Sequence, residues 1–160
     1  MAEPLVDQIV QQIAYVAENY YQLVVVAGLS GTGKTTALHE VHARTGMALI
    51  NVNLDLSRRM LDLTERQRVL QLPKLLEEIV SAAGTNVVLM DNIELLFDTS
   101  LKQDPLRLLQ GLSRNKTLVV AWNGAVSGGQ ITYAAPDHLE YRKYPVRDFL
   151  VLSPDLSTQQ

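Results

Sequence analysis

The apolar residues Leu23, Val24, Val25, Val26 and Ala27 run without interruption into Gly28-Leu29-Ser30-Gly31-Thr32-Gly33-Lys34-Thr35. That spacing, G-x-x-x-x-G-K-[ST] straight after a strand-like run, constrains the chain more than any other segment. The run predicts a buried strand that carries the backbone to the carboxyl edge of a sheet. Glycines beyond it let successive N–H groups turn inward around a polyphosphate with no side chain in the way. Thr35, Thr36, Ala37, Leu38, His39, Glu40, Val41 and His42 then read as a helix. Its N-terminus brings the positive end of a dipole to the same anion. Gly28, Ser30, Gly31, Thr32, Gly33, Lys34, Thr35 and Thr36 are therefore the candidate phosphate-binding residues. Lys34 is expected to reach the β- and γ-phosphates, and the Thr35 hydroxyl to ligate Mg²⁺. The ligand so defined is a nucleoside triphosphate.

The same strand–helix alternation continues along the chain. Leu5, Val6, Ile9, Val10, Ile13, Val16 and Ala17 recur with a helical period and predict a helix over 4–20. Further strands are predicted over 47–52, 87–91, 117–122 and 148–152. Helices are predicted from 35 to about 46, from Pro73 in a first turn to about 83, and from Pro105 to about 112. Residues 53–72 are charged and less regular, and Gly128, Gly129, Pro136 and Pro145 mark 125–146 as loop or short hairpin, with Ile131, Thr132 and Tyr133 as one arm. Such alternation implies a parallel sheet covered on both faces, with ligand at the carboxyl ends of the strands. The expected fold class is α/β: a three-layer P-loop NTPase with a five-stranded, mostly parallel sheet whose fourth strand lies between the first and third. At 160 residues, one domain is expected over 1–152, with an N-terminal helix within 1–20 and a short polar tail over 153–160.

Composition narrows the partners. A net charge of −3 argues against a protein that coats DNA by bulk charge, and the lack of cysteine excludes disulfides and thiolate metal sites. Met1-Ala2-Glu3-Pro4 lacks the basic start of a signal peptide. No apolar run approaches the ~20 residues of a membrane span, so a cytoplasmic protein without membrane contact is expected.

Asp91 ends the run Val87, Val88, Leu89 and Met90. A carboxylate at the end of a buried strand suits the Walker B role of holding Mg²⁺ beside Thr35. Hydrolytic proteins of this class usually place Glu next, as a base for the attacking water. Here the next residue is Asn92, whose amide can orient water but cannot take its proton. Glu94 can substitute if the chain turns back; otherwise it is a solvated or capping carboxylate. Asn123, ending the 117–122 strand, falls beside Lys34 and Asp91 in the expected strand order, or else serves an Asn-Gly turn. Transition-state charge also calls for a cation, often an arginine from a neighbouring subunit. Arg142 and Arg147 are candidates by position, with Arg114 a third. Arg58, Arg59, Arg66 and Arg68 cluster after the second strand as a possible DNA patch, diluted by Asp55, Asp62 and Glu65.

Four segments carry a family resemblance: Asn53-Leu54-Asp55-Leu56-Ser57-Arg58-Arg59; Leu89-Met90-Asp91-Asn92-Ile93-Glu94-Leu95-Leu96-Phe97-Asp98; Leu101-Lys102-Gln103-Asp104-Pro105-Leu106-Arg107-Leu108-Leu109-Gln110; and Ala121-Trp122-Asn123-Gly124. They resemble the small P-loop family BrxF, found in type 3 bacteriophage-exclusion (BREX) systems of bacteria. The resemblance implies ATP with Mg²⁺, a reduced AAA+ core, and a cytoplasmic place in phage defence. It also implies partners: a DNA methyltransferase, a large ATPase, a helicase and a phosphatase-like protein. AAA+ proteins carry a helical lid after the fifth strand, and too few residues follow Leu152 for one. Sites completed by a partner, or by homo-oligomerisation on nucleotide binding, are the corresponding expectation. Three functions fit: an ATPase acting in a complex, a nucleotide-gated adaptor with little or no hydrolysis, and a small-molecule kinase. Residues 125–146 are a poor match to the arginine-rich lid of a kinase.

Overall fold

Side-chain alternation in the first strand sets the layering. Leu23, Val25 and Ala27 pack into one apolar cluster while Val24 and Val26 pack into another, so β1 (Leu23–Gly28) is buried on both faces. The computed structural model describes residues 4–135 and 137–154. Helices α1 (Leu5–Val16) and α2 (Lys34–Thr45) cover one face of the sheet. Strand β2 (Ala48–Asn51), helices α3 (Val52–Met60) and α4 (Glu65–Ser81), and strand β3 (Val87–Asp91) follow. Next come α5 (Pro105–Leu112), β4 (Thr117–Asn123), a small sheet of β5 (Val126–Ser127), β6 (Gln130–Tyr133) and β7 (Arg142–Pro145), and finally β8 (Leu150–Leu152). The main sheet has five strands in the order β2-β3-β4-β1-β8, all parallel, with β4 between β1 and β3. Residues of α3, α4, α5 and the small sheet form the core on its second face. No helix among the described residues is long and apolar enough to cross a membrane.

Three segments depart from expectation. Helix α1 stops at Val16 rather than near Tyr20, because positions 19 and 20 carry an exposed Asn and Tyr where its buried stripe of Val6, Ile9, Ile13 and Val16 would continue. Residues 53–72 are largely helical. The Asn51 side chain accepts from Leu54 N–H (3.1 Å) to cap α3, and Val52, Leu56 and Met60 supply its buried face. Thr64 and Gln67 form a reciprocal capping box that starts α4. Pro73 therefore lies deep inside α4 and not in its first turn. A proline there deprives the carbonyl four residues earlier of its helical donor. The Gln103 side chain supplies a substitute, donating to the Val69 carbonyl at 2.9 Å.

The third departure is the region 125–146, which forms a three-stranded antiparallel sheet. Pro136, the residues before Pro4 and the polar tail from 155 onward lie outside the described residues. Ile131 and Tyr133 point inward, and the Trp122 indole N–H donates to the Thr132 carbonyl at 2.9 Å. The small sheet is thereby fastened to the end of β4. A Cβ added at Gly124 would lie 1.6 Å from the Thr132 carbonyl oxygen, so only glycine fits there. Gly111 in α5, by contrast, has open space around its Cβ position.

Urea denaturation should separate these two glycines. Gly124→Ala is expected to cost at least about 3 kcal/mol, because backbone must move to admit the methyl group. Gly111→Ala is expected to stabilise by about 0.5–1 kcal/mol through helix propensity.

Candidate nucleotide site

Parallel register gathers the site. Gly28 pairs with Asn123 across β1 and β4, and Asn51 pairs with Asp91 across β2 and β3. All four sit at carboxyl strand ends, where a cavity of about 300 Å³ opens. Its walls include Ser30, Gly31, Gly33, Lys34, Thr35 and Thr36 from the glycine turn and the start of α2. Asp91, Asn92, Glu94 and Asn123 close the other side.

The glycine turn has the backbone its sequence requires. Gly31 and Gly33 have φ of 85° and 93°, and a Cβ on either would meet open space. Glycine is needed for the left-handed conformation, which aims main-chain groups into the concavity. Gly33 is also the N-cap of α2, so the helix start faces the cavity. Thr32 turns away from it: its hydroxyl donates to the Leu29 carbonyl at 2.7 Å. Gly28 is likewise outside the lining, and a Cβ there would fall 2.7 Å from the Thr32 hydroxyl. Both residues shape the turn. The buried Lys34 ammonium donates to the carbonyls of Gly28 (2.6 Å) and Leu29 (2.7 Å), which hold the cation at the mouth of the turn.

Asp91 is buried at the end of β3 and accepts from Asn92 N–H at 2.9 Å. Asn92 has φ of 55°, a left-handed conformation that asparagine adopts more readily than other side-chain-bearing residues. Glutamate at this position would be strained. That left-handed residue turns the chain so that Glu94, at the start of a single 3-10 turn (Glu94–Phe97), lines the same cavity. Asn53 holds the turn from α3. Its N–H donates to the Asn92 carbonyl and its side-chain oxygen accepts from Leu95 N–H, both at 2.8 Å. Burial pushes the Glu94 carboxyl above the usual carboxylate range, and the charge of Asp91 adds to the rise. Its own backbone N–H and Lys34 offset part of it. A carboxylate raised in this way is a better proton acceptor than an exposed one.

The arginines lie elsewhere. Arg142 donates to the Gln103 carbonyl at 2.8 Å, and Arg147 borders a separate surface cavity with Asp104, Arg107 and Gln110. Arg114 lies before β4, at the opposite edge of the sheet from Asn123, with its guanidinium 4.5 Å over the Tyr20 ring. Of the basic cluster, Arg68 donates through Nε to the carbonyls of Met60 and Leu63 (both 3.1 Å) and closes the α3–α4 corner. Arg59 pairs with Glu78 at 3.5 Å, while Arg58 and Arg66 are exposed. Among the described residues no group of three or more His, Cys, Asp or Glu side chains could hold a metal ion. Thr35 and Asp91 match the different pattern of a phosphate-bound Mg²⁺, which takes one or two protein oxygens and completes its shell with phosphate and water. Sequence reasoning assigned no role to Asn53 or Gln103, because neither tie runs to a neighbour in the chain.

Strand, glycine turn, helix start and acid-ended strand in this sheet order define a P-loop NTPase core. Residues 24–122 match the ATPase family associated with various cellular activities (AAA), and the chain belongs to that family. Membership implies binding of ATP, typically with Mg²⁺. Among solved structures, the chain is similar to C. elegans PCH-2, with 14% identity and a TM-score of 0.46. The match takes in 93% of this chain and 41% of that one, so this chain spans less than half the length of PCH-2. No curated protein sequence matches it.

The left-handed turn after Asp91 is open to test by chemical denaturation. Asn92→Glu is expected to lose about 1–2 kcal/mol, because glutamate lacks the short polar side chain that lets asparagine tolerate the left-handed conformation. Asn92→Gly, which has no Cβ, is expected to lose well under that amount.

Proposed function

We propose that this protein binds ATP with Mg²⁺ at the carboxyl edge of its sheet and hydrolyses it, as an AAA+-like component of a bacteriophage-exclusion complex. What supports hydrolysis is the meeting of Lys34, Asp91, Glu94 and Asn123 around one cavity. In this reading the glycine turn and the start of α2 hold the phosphates, Lys34 neutralises the β- and γ-oxygens, and Thr35 and Asp91 hold the metal. Glu94, raised by burial, takes the proton from the attacking water in the role that Asn92 cannot fill. Asn123 orients that water or the γ-phosphate. A cation supplied by a neighbouring copy completes the site. Arg147 suits this better than Arg142, whose guanidinium is engaged with Gln103.

The phage-defence assignment rests on the resemblance of residues 53–59, 89–98, 101–110 and 121–124 to BrxF. The large ATPase, methyltransferase and phosphatase-like protein of such systems are the partners it proposes. DNA contact belongs to the same proposal through Arg58 and Arg66, since Arg59 and Arg68 are engaged within the fold. A second reading, a nucleotide-gated adaptor without hydrolysis, is favoured by one observation: a left-handed asparagine stands where hydrolytic relatives put their base.

Phosphate release by the purified protein decides between them. Lys34→Ala is expected to abolish both ATP binding, read by calorimetry, and turnover. Glu94→Gln is expected to retain binding and to lower kcat by about 10²–10⁴-fold. A wild-type protein that binds ATP yet releases no phosphate is the adaptor. Sedimentation mass across a concentration series tests assembly: ATP with Mg²⁺ is expected to raise it above the monomer, and an unchanged monomeric mass refutes self-completion of the site.

A further inference from the structure

Glu94 stands on a weak element. A 3-10 turn of four residues has poor hydrogen-bond geometry and little length to stiffen it, so packing must hold its residues in place. Its N-cap, Ile93, makes no side-chain capping bond. From the α3 side the turn is tied by Asn53. From the opposite side it is held by a ring. Phe97, the last residue of the turn, lies face to face with Tyr133 of β6, ring centroids 3.5 Å apart and planes within 5°. Trp122 of β4 meets both rings edge-on, at 5.1 Å from Phe97 and 6.0 Å from Tyr133. Tyr133 and Phe97 are both buried.

The backbone around Tyr133 reaches the other polar group of the cavity. Ala134 N–H donates to the Asn123 carbonyl at 3.3 Å, and the Thr132 carbonyl takes the Trp122 indole at 2.9 Å. Tyr133 thus lies between the turn that presents Glu94 and the strand end that presents Asn123. These are the two groups assigned to the attacking water. A displacement of about 1 Å at a reacting group can cost a catalytic site about 10²-fold in rate.

Resting on the hydrolytic role of Glu94 given above, we propose that Tyr133 is a positioning residue for Glu94, and that the small antiparallel sheet buttresses the water-activating side of the site. The part of Tyr133 given this role is its flat ring against Phe97.

Steady-state kinetics of the full chain test this. Tyr133→Leu keeps apolar bulk and removes the stack; it is expected to lower kcat at least about tenfold while leaving the KM for ATP and its calorimetric affinity within about twofold. Tyr133→Phe keeps the ring and is expected to hold kcat within about twofold. In a Glu94→Gln background, Tyr133→Leu should cause no further loss, since the group it positions is already disabled. Should Tyr133→Leu fail to fold, Phe97→Leu removes the same stack from the other side and carries the same expectations. The proposal is overturned if Tyr133→Phe falls as far as Tyr133→Leu, if KM rather than kcat changes, or if the losses from Tyr133→Leu and Glu94→Gln multiply. Wild-type protein that releases no phosphate overturns the hydrolytic reading, and Glu94→Gln at full turnover overturns the base role of Glu94; either takes this proposal with it. The expected loss in Glu94→Gln, followed by a further multiplying loss when Tyr133→Leu is added, overturns this proposal alone.

Discussion

Parallel pairing of β1 with β4, and of β3 with β4, is the constraint on which the site depends. Each ladder brings carboxyl strand ends to the same edge, so residues from 28, 91 and 123 meet without any local sequence relation. Pairing in one register also turns every second side chain of β1 and β4 to the same face, and both faces are apolar. A slip of one residue would exchange the two faces and carry Asn123 away from Gly28. The packing that stabilises the sheet therefore also sets the spacing of the phosphate turn, the acid and the polar strand end.

Much of this was legible in the residues. The apolar run ahead of the glycine turn reads as a strand because the turn and helix follow it directly, and Val87 to Asp91 and Thr117 to Trp122 read as buried strands too. The strand order followed from the acid-ended strand being third. What escaped was decided by side chains that act at a distance or by composition that masks a signal. Residues 53–72 looked irregular because charged side chains are scattered among the apolar positions there. Yet Asn51 and the Thr64–Gln67 box begin both helices, and Val52, Leu56 and Met60 keep helical spacing. Pro73 read as a first-turn residue because nothing local foretells that Gln103, far along the chain, takes the orphaned carbonyl.

The candidate site was read unevenly for similar reasons. The glycine turn is local, and its residues were visible as a block, though Gly28 and Thr32 shape the turn without lining the cavity. Glu94 could be seen only as a residue that would serve if the chain turned back. The turn itself comes from the left-handed backbone of Asn92 and the two bonds from Asn53, neither of which has a spacing signature. Seen this way, the asparagine after the acid is a backbone choice: it makes the bend that brings a later carboxylate to the cavity.

Gln103 has an effect beyond completing one hydrogen bond. Its side chain grips α4 at Val69 while its own carbonyl is gripped by Arg142 of β7. A long helix and a separate sheet are thereby clasped through a single residue of an irregular loop. Since β6 of that sheet adjoins Asn123, a partner that leaned on the outer surface of α4 would be pressing, through a short and stiff linkage, on the rim of the nucleotide cavity.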